Sequence, residues 1–202
     1  ETVPLSQRTL RDAHRMLLSG VQRNRGANVE AGEFKRHQNF IGAYEIEKAR
    51  FVPPPPRETI DCLNDLEKFI HREDRNDIPP LVEAALIHYQ FETIHPFADG
   101  NGRVGRMLVT LHLHMMKTIR QPILYLSPIF ETRKDEYIDR LFEVSLRGDW
   151  LAWINFFLDV VALSCRATIA TADRLRELEM DFRRRLENSG RSPNLTRIAD
   201  DL

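Results

Sequence analysis

Apolar residues recur at helical spacing through most of this chain. Leu10, Ala13, Leu17 and Val21 share a face behind Ser6, a residue type that caps helix starts, so the pattern predicts a helix over about 6–21. Ile60, Leu63, Leu66, Phe69 and Ile70 repeat the spacing over 58–71, behind the stiff run of prolines 53–56. Pro79 and Pro80 stand where a helix can begin, and "LVEAALIHYQFETI" after them is apolar on most sides, as a helix through a core must be. Helical spacing resumes in "RVGRMLVTLHLHMMKTI", and again over 135–147 and 149–186. The end of the last stretch, "RLRELEMDFRRRLE", alternates charge and reads as a solvated face. One segment departs from the pattern. "NFIGAYEIEKARFVPPPP" offers two short apolar runs around a polar middle, with prolines that cannot continue a ladder, and predicts a small edge hairpin over about 39–54. The expected fold is all-α with one small β-hairpin.

A length of 202 residues is enough for one sizeable core, or one domain and the beginning of another. Lys and Arg total 29 against 30 Asp and Glu, a formal charge of -1, which argues against a mainly electrostatic partner such as bulk nucleic acid or an anionic membrane surface. No apolar run reaches bilayer length, so no membrane is expected. Cys62 and Cys165 lie far apart without a Cys or His partner at metal-ligand spacing, and nothing resembles a secretory signal; a cytoplasmic, reducing setting is expected. The chain opens on Glu1 and closes on Leu202 within a helix-like pattern, which leads us to expect a piece of a longer protein.

The chemistry concentrates in "FETIHPFADGNGRVGRML", residues 91–108, between two apolar helical stretches. A loop that ends where a helix begins presents unpaired N–H groups and a partial positive charge, which together bind anions. Gly100 and Gly102 let a ligand approach the main chain, and Arg103 and Arg106, three apart, share a face above the same loop. Asp99 makes sense beside phosphates if a hard divalent ion such as Mg²⁺ lies between them. His95 titrates near neutrality and can take a proton from an attacking hydroxyl. The set points to transfer of a phosphorus-centred group from a nucleotide. Three other readings fail on spacing. Gly102 is followed by Arg103 and Val104 where a Walker loop needs Lys and Ser or Thr; an EF-hand from Asp99 would meet Arg103 and Thr110 at ligand positions; a dinucleotide fingerprint would follow a strand.

"HPFADGNGRVGR" resembles the signature of the Fic family, His-x-Phe-x-Asp/Glu-Gly-Asn-Gly-Arg-x-x-Arg, at His95, Phe97, Asp99, Gly100, Asn101, Gly102, Arg103 and Arg106. The likeness extends from about Pro4 to Leu186 through "PLSQRTLRDAHRMLLSGV", "FVPPPP", "YLSPIF" and "RGDWLAWINFFL". It implies a Fic domain over 1–188 with a catalytic loop at 95–106. The implied activity is transfer of AMP from ATP to a Tyr, Thr or Ser hydroxyl of a target protein, with release of pyrophosphate. By the same resemblance His95 is the general base and Asp99 holds Mg²⁺. Gly100, Asn101 and Gly102 form the anion hole, Arg103 clamps the β-phosphate and Arg106 the γ-phosphate, and Phe97 pins the loop from beneath. The hairpin becomes a flap that covers the nucleotide and pairs with the target by strand addition, lined by Arg50, Phe51, Val52 and Pro53. Tyr137 resembles an aromatic position near the adenine, with an ordinary core tyrosine as the alternative. Glycine at 102, where a phosphorylating relative carries Lys, favours AMP transfer from ATP while leaving other nucleotides open.

Many family members are restrained by a helix carrying Ser/Thr-x-x-x-Glu-Gly/Asn. No such sequence occurs in the 202 residues, so the resemblance implies either an inhibitory helix upstream of Glu1 or an antitoxin-like partner chain. After "NSGRSPN", the tail "LTRIADDL" looks like the first helix of a helix-turn-helix module; residues 189–202 are read as a linker and its start, with DNA contacted only through the missing remainder. Alternatives from other classes stay open: a nucleotide-sensing transcriptional regulator with an idle site, transfer of another nucleotide, or AMP removal. Oligomeric state is unspecified, with a homodimer among the options. His112 and His114, two apart on a helix, should diverge rather than share a metal; His88 reads as a hydrogen-bonded core residue, and Trp150 and Trp153 as packing.

Overall fold

The computed structural model describes residues 5–19, 30–42, 45–75 and 78–188. Seven helices occupy them: α1 (Gln7–Leu18), α2 (Pro56–His71), α3 (Pro80–Ile94), α4 (Asn101–Met115), α5 (Ser127–Thr132), α6 (Lys134–Arg147) and α7 (Trp150–Asn188). The chain is mainly helical, as its periodicity predicts. Ser6 caps α1 by accepting from the Thr9 N–H, and prolines open both α2 and α3, where a missing N–H removes no helical bond. The short α5, which begins within "YLSPIF" and ends two residues beyond it, is not foreshadowed by any apolar repeat.

The expected hairpin is corrected. Among the described residues no strand forms; a single antiparallel bridge joins Ile41 to Phe51, and a short 3-10 turn spans Ile46–Lys48. The physical reason lies in the segment itself. Gly42 takes a positive φ of 91° directly after Ile41, and the prolines from Pro53 have no N–H to extend the pairing beyond Phe51. The helix-turn-helix tail expected from residue 189 lies outside the described residues.

Helix α3 runs through the centre, against α2, α4 and α7. One apolar cluster gathers Trp153, Phe157 and Val160 of α7 with Phe130 of α5 and Ala84 and Ala85 of α3, and the Trp153 indole N–H donates to the Ala85 carbonyl at 3.0 Å. A second cluster unites Leu10 of α1, Leu63 and Leu66 of α2, Phe91 of α3, Leu108 of α4 and Phe97 of the intervening loop. The loop 95–100 is therefore anchored in a core at both ends. The two central helices meet at Gly105, where a Cβ would collide with Glu92 Oε1 and stand 3.1 Å from Phe91 Cδ1.

Helix α7, 39 residues and roughly 58 Å long, is the one helix among those described that is long and apolar enough to cross a membrane. Its apolar residues Trp153, Phe156, Phe157, Val160 and Val161 instead form a wall of the first cluster. Its second half leaves the core, with Glu179–Arg183 and Asp181–Arg185 ion pairs between exposed Leu178 and Phe182.

Candidate active site

Helix α3 stops at His95, whose backbone adopts the left-handed conformation (φ 48°, ψ 59°) while its N–H donates to the Phe91 carbonyl at 3.0 Å. Pro96 follows and cannot continue the helix. The ring Nδ1 lies 3.2 Å from the Glu92 carbonyl, so Nδ1 carries the hydrogen and Nε2 keeps its lone pair. Burial holds the imidazole pKa down to about 4, the Glu92 carbonyl opposing and the Lys35 charge adding. At neutral pH the ring is an uncharged proton acceptor.

Beyond it the loop is fastened to a buried floor. Phe97 stacks on His14 with ring centroids 3.9 Å apart and planes 10° from parallel. His14 Nδ1 accepts from the Gly32 N–H at 2.8 Å, so Nε2 bears the hydrogen and donates to the Asp99 carbonyl at 3.0 Å. The Asn101 side chain embraces Phe97, accepting from its N–H and donating to its carbonyl, each at 2.8 Å. The Asn101 side chain is buried and held inward by this clamp, which leaves its backbone N–H at the helix start. Gly100 turns the chain with φ 81°, a region costly to residues with a Cβ, and its carbonyl accepts the N–H groups of Arg103 and Val104 to start α4. The N–H groups of Asn101 and Gly102 thus stand at the helix N-terminus.

The charged groups gather on this turn. Asp99 Oδ1 accepts from the Gly100 N–H at 2.6 Å, and Oδ2 sits 3.5 Å from Arg103 Nη2. Arg106 lies over Gly102, where a Cβ would approach its Nη1 to 3.0 Å, and its Nε donates to Ser127 Oγ at 2.9 Å. No group of three His, Cys, Asp or Glu among the described residues could hold a metal by itself. Asp99, one half-exposed carboxylate beside an anion-binding turn, fits a hard cation that takes its other oxygens from phosphates. His112 and His114 diverge as expected: His112 is buried with Nε2 3.7 Å from Glu83 Oε1, while His114 Nδ1 faces the Ile119 carbonyl.

A cavity of about 120 Å³ opens beside His95. Ile41, Arg50 and Phe51 form one side, Glu92 and Thr93 of α3 the floor, and Tyr137, Leu141 and Phe142 of α6 the other side. Arg50 crosses between them, its Nη2 2.6 Å from Asp139 Oδ1 and its Cζ 4.5 Å from the Phe142 ring centre. Tyr137 borders the cavity and is held within the core, its hydroxyl pairing with His88 Nε2 at 3.0 Å. Val52 and Pro53 do not border it: Val52 is exposed, and Pro53 is buried with its carbonyl accepting from Gln38.

Several contributors escape a reading of the sequence alone. Glu92 is buried at 8 % exposure with Oε1 unpartnered, and burial raises its pKa to about 7 against the opposing charge of Arg106. His14, Lys35, Asn39 and Ser127 act from outside the signature. Only their polarity in otherwise unremarkable segments could have marked them.

Residues 4–113 match the Fic/DOC family. The chain is 29% identical over 176 residues to the protein adenylyltransferase Fic of Drosophila mojavensis, an alignment covering 85% of this chain and 31% of that protein. It is 31% identical over 154 residues to the protein of the same name from Aedes aegypti, covering 75% of this chain and 27% of that one. The chain therefore spans about a third of the length of these curated relatives. Among solved structures, a Fic family protein from Desulfovibrio desulfuricans G20 superposes with a TM-score of 0.65 at 27% identity, over 82% of this chain and 47% of that one. A Fic domain containing signaling protein from Bacteroides thetaiotaomicron VPI-5482 gives 0.64 at 25%, over 83% and 64%.

Proposed function

This chain belongs to the Fic/DOC family, and from that premise we propose that it transfers AMP from ATP to a Tyr, Thr or Ser hydroxyl of a target protein. One observation carries the reading: a neutral imidazole with a free Nε2 opens the same turn that presents the N–H groups of a helix start, two glycines and two arginines. The target oxygen attacks the α-phosphorus while its proton passes to His95 Nε2. The bond from that phosphorus to the α,β-bridging oxygen breaks, and pyrophosphate departs. The N–H groups of Asn101 and Gly102 receive phosphate oxygens, Arg106 steadies the far end of the triphosphate above Gly102, and Arg103 balances the intervening charge. Mg²⁺, held by Asp99 together with phosphate oxygens, would neutralise charge on the triphosphate.

Segment 39–54 would serve as the flap. Its Ile41–Phe51 bridge holds the segment at the cavity beside His95, where a target segment would dock. The cavity bounded by Phe51, Glu92 and Tyr137 has the apolar walls and scarce polar groups that suit a nucleobase.

The test is incubation of the protein with ATP and Mg²⁺, followed by intact-mass analysis of the protein and of candidate targets, or by transfer of α-labelled phosphate in a cell lysate. A gain of one AMP is expected, abolished by His95→Ala. Label that persists undiminished in this variant, or no gain with any target, sinks the proposal.

A further inference from the structure

We propose that Lys35 and Asn39 are positioning residues for the catalytic base, holding the peptide groups of residues 94–97 in the turn that aims His95. Four consecutive carbonyls of that turn receive donors from this one segment. Lys35 Nζ donates to Ile94 O at 3.1 Å, Asn39 Nδ2 to His95 O at 3.0 Å, the Lys35 backbone N–H to Pro96 O at 2.8 Å, and Asn39 Nδ2 again to Phe97 O at 3.1 Å. Asn39 Oδ1 accepts from Lys35 Nζ at 2.9 Å, which fixes the amide so that both hydrogens of Nδ2 face the turn.

The arrangement is costly in isolation. Lys35 is 5 % exposed and forms no ion pair among the described residues, and burying an ammonium without a counter-charge is strongly unfavourable. The carbonyl dipoles of the turn and of the Asn39 amide are its compensation. On the other side of the contact, His95 occupies left-handed backbone, which a residue with a Cβ keeps only where surrounding bonds over-determine it. Each half explains the other: the turn stabilises the cation, and the strap stabilises the turn. The strap also reaches the cavity wall, since Gln38 Nε2 donates to Pro53 O at 2.8 Å and Ile41 pairs with Phe51 two residues beyond Asn39.

The inference rests on the transferase reading for its catalytic consequence, but its geometric core can be tested separately. Long-range ¹H–¹⁵N correlation of the imidazole reports the tautomer of His95 in the full chain, with or without turnover. Wild type should show a single form with hydrogen on Nδ1. Asn39→Ala and Lys35→Met should show an averaged ring, with kcat for AMP transfer falling on the order of 10²-fold and KM for ATP within about threefold. Lys35→Arg, which retains charged donors, should restore the single tautomer. An unchanged ring signal in both Asn39→Ala and Lys35→Met overturns the inference even where no transfer is detected; averaging in both upholds it under the same condition. If either variant fails to fold, wild type decides: slowly exchanging Lys35 Nζ protons at neutral pH are expected, and a freely exchanging ammonium overturns it.

Discussion

Replacing Asn101 by Ala removes the side chain that brackets Phe97 at the base of the loop 95–100. Two bonds of 2.8 Å disappear. The Phe97 carbonyl keeps Asn39 Nδ2 as a donor at 3.1 Å, so its loss is that of one ordinary bond, about 1 kcal/mol. The Phe97 N–H has no substitute, and an unsatisfied buried donor costs about 1–3 kcal/mol. Asn101 is 2 % exposed, so water cannot easily enter in its place. The expected destabilisation is about 2–4 kcal/mol, a fall in Tm of roughly 4–16 °C for a chain of this length. Asn101→Asp retains an acceptor for the Phe97 N–H, but it sets its second oxygen against the Phe97 carbonyl and buries a charge, so it should not recover wild-type stability. Its extra negative charge beside the anion-binding turn should also weaken ATP binding. Urea unfolding followed by tryptophan fluorescence, with ATP affinity by calorimetry, separates the two effects. An alanine variant within about 0.5 kcal/mol of wild type would refute the clamp, since surface substitutions reach that size.

Acid should destabilise the fold in a defined window. His88, His95 and His112 have pKa values lowered by burial to about 3, 4 and 4, so the unfolded chain binds more protons than the folded one below about pH 6.5, and each costs about 2 kcal/mol by pH 5. Glu92, raised to about 7, takes up a proton in the fold and offsets about one of these losses; urea unfolding at pH 8 and pH 5 should therefore differ by about 3–4 kcal/mol, and a flat profile counts against the burial argument. Gly105→Ala should destabilise by about 1 kcal/mol net, because crowding against Glu92, Phe91 and His88 exceeds the gain in helix propensity; a more stable variant in thermal unfolding would show that α3 and α4 can separate. Arg50→Ala should leave stability within about 0.5 kcal/mol, since its pair with Asp139 is solvent-exposed, yet release a fluorescent ATP analogue several-fold faster in stopped flow; unchanged release would mean that Arg50 does not close the cavity.

The helices were legible where the code is local. Ser6 before an apolar repeat marked the start of α1, and Pro79 and Pro80 marked that of α3. The signature around His95 was legible because glycine, acid, base and arginine lie within twelve residues. What stayed hidden is contact across distance. Lys35 and Asn39 meet Ile94, His95 and Phe97 from 56–59 residues away, and nothing in "EFKRHQNF" announces that pairing. Glu92 looked like one polar residue in an apolar helix until α4 approached it at Gly105. The 39–54 segment was misread for a different reason: short apolar runs suggested strands, but Gly42 and the prolines from Pro53 leave room for a single bridge.

In the proposed transfer His95 is the proton acceptor, and it is also the residue that closes α3 in left-handed backbone. Deleting its imidazole with alanine therefore alters two things together, the reaction and the conformational preference of the hinge that carries it. Asparagine tolerates that backbone region better than alanine and lacks a basic ring nitrogen. His95→Asn is accordingly the cleaner inert reagent, suited to trapping ATP or a docked target with the loop still in its working shape.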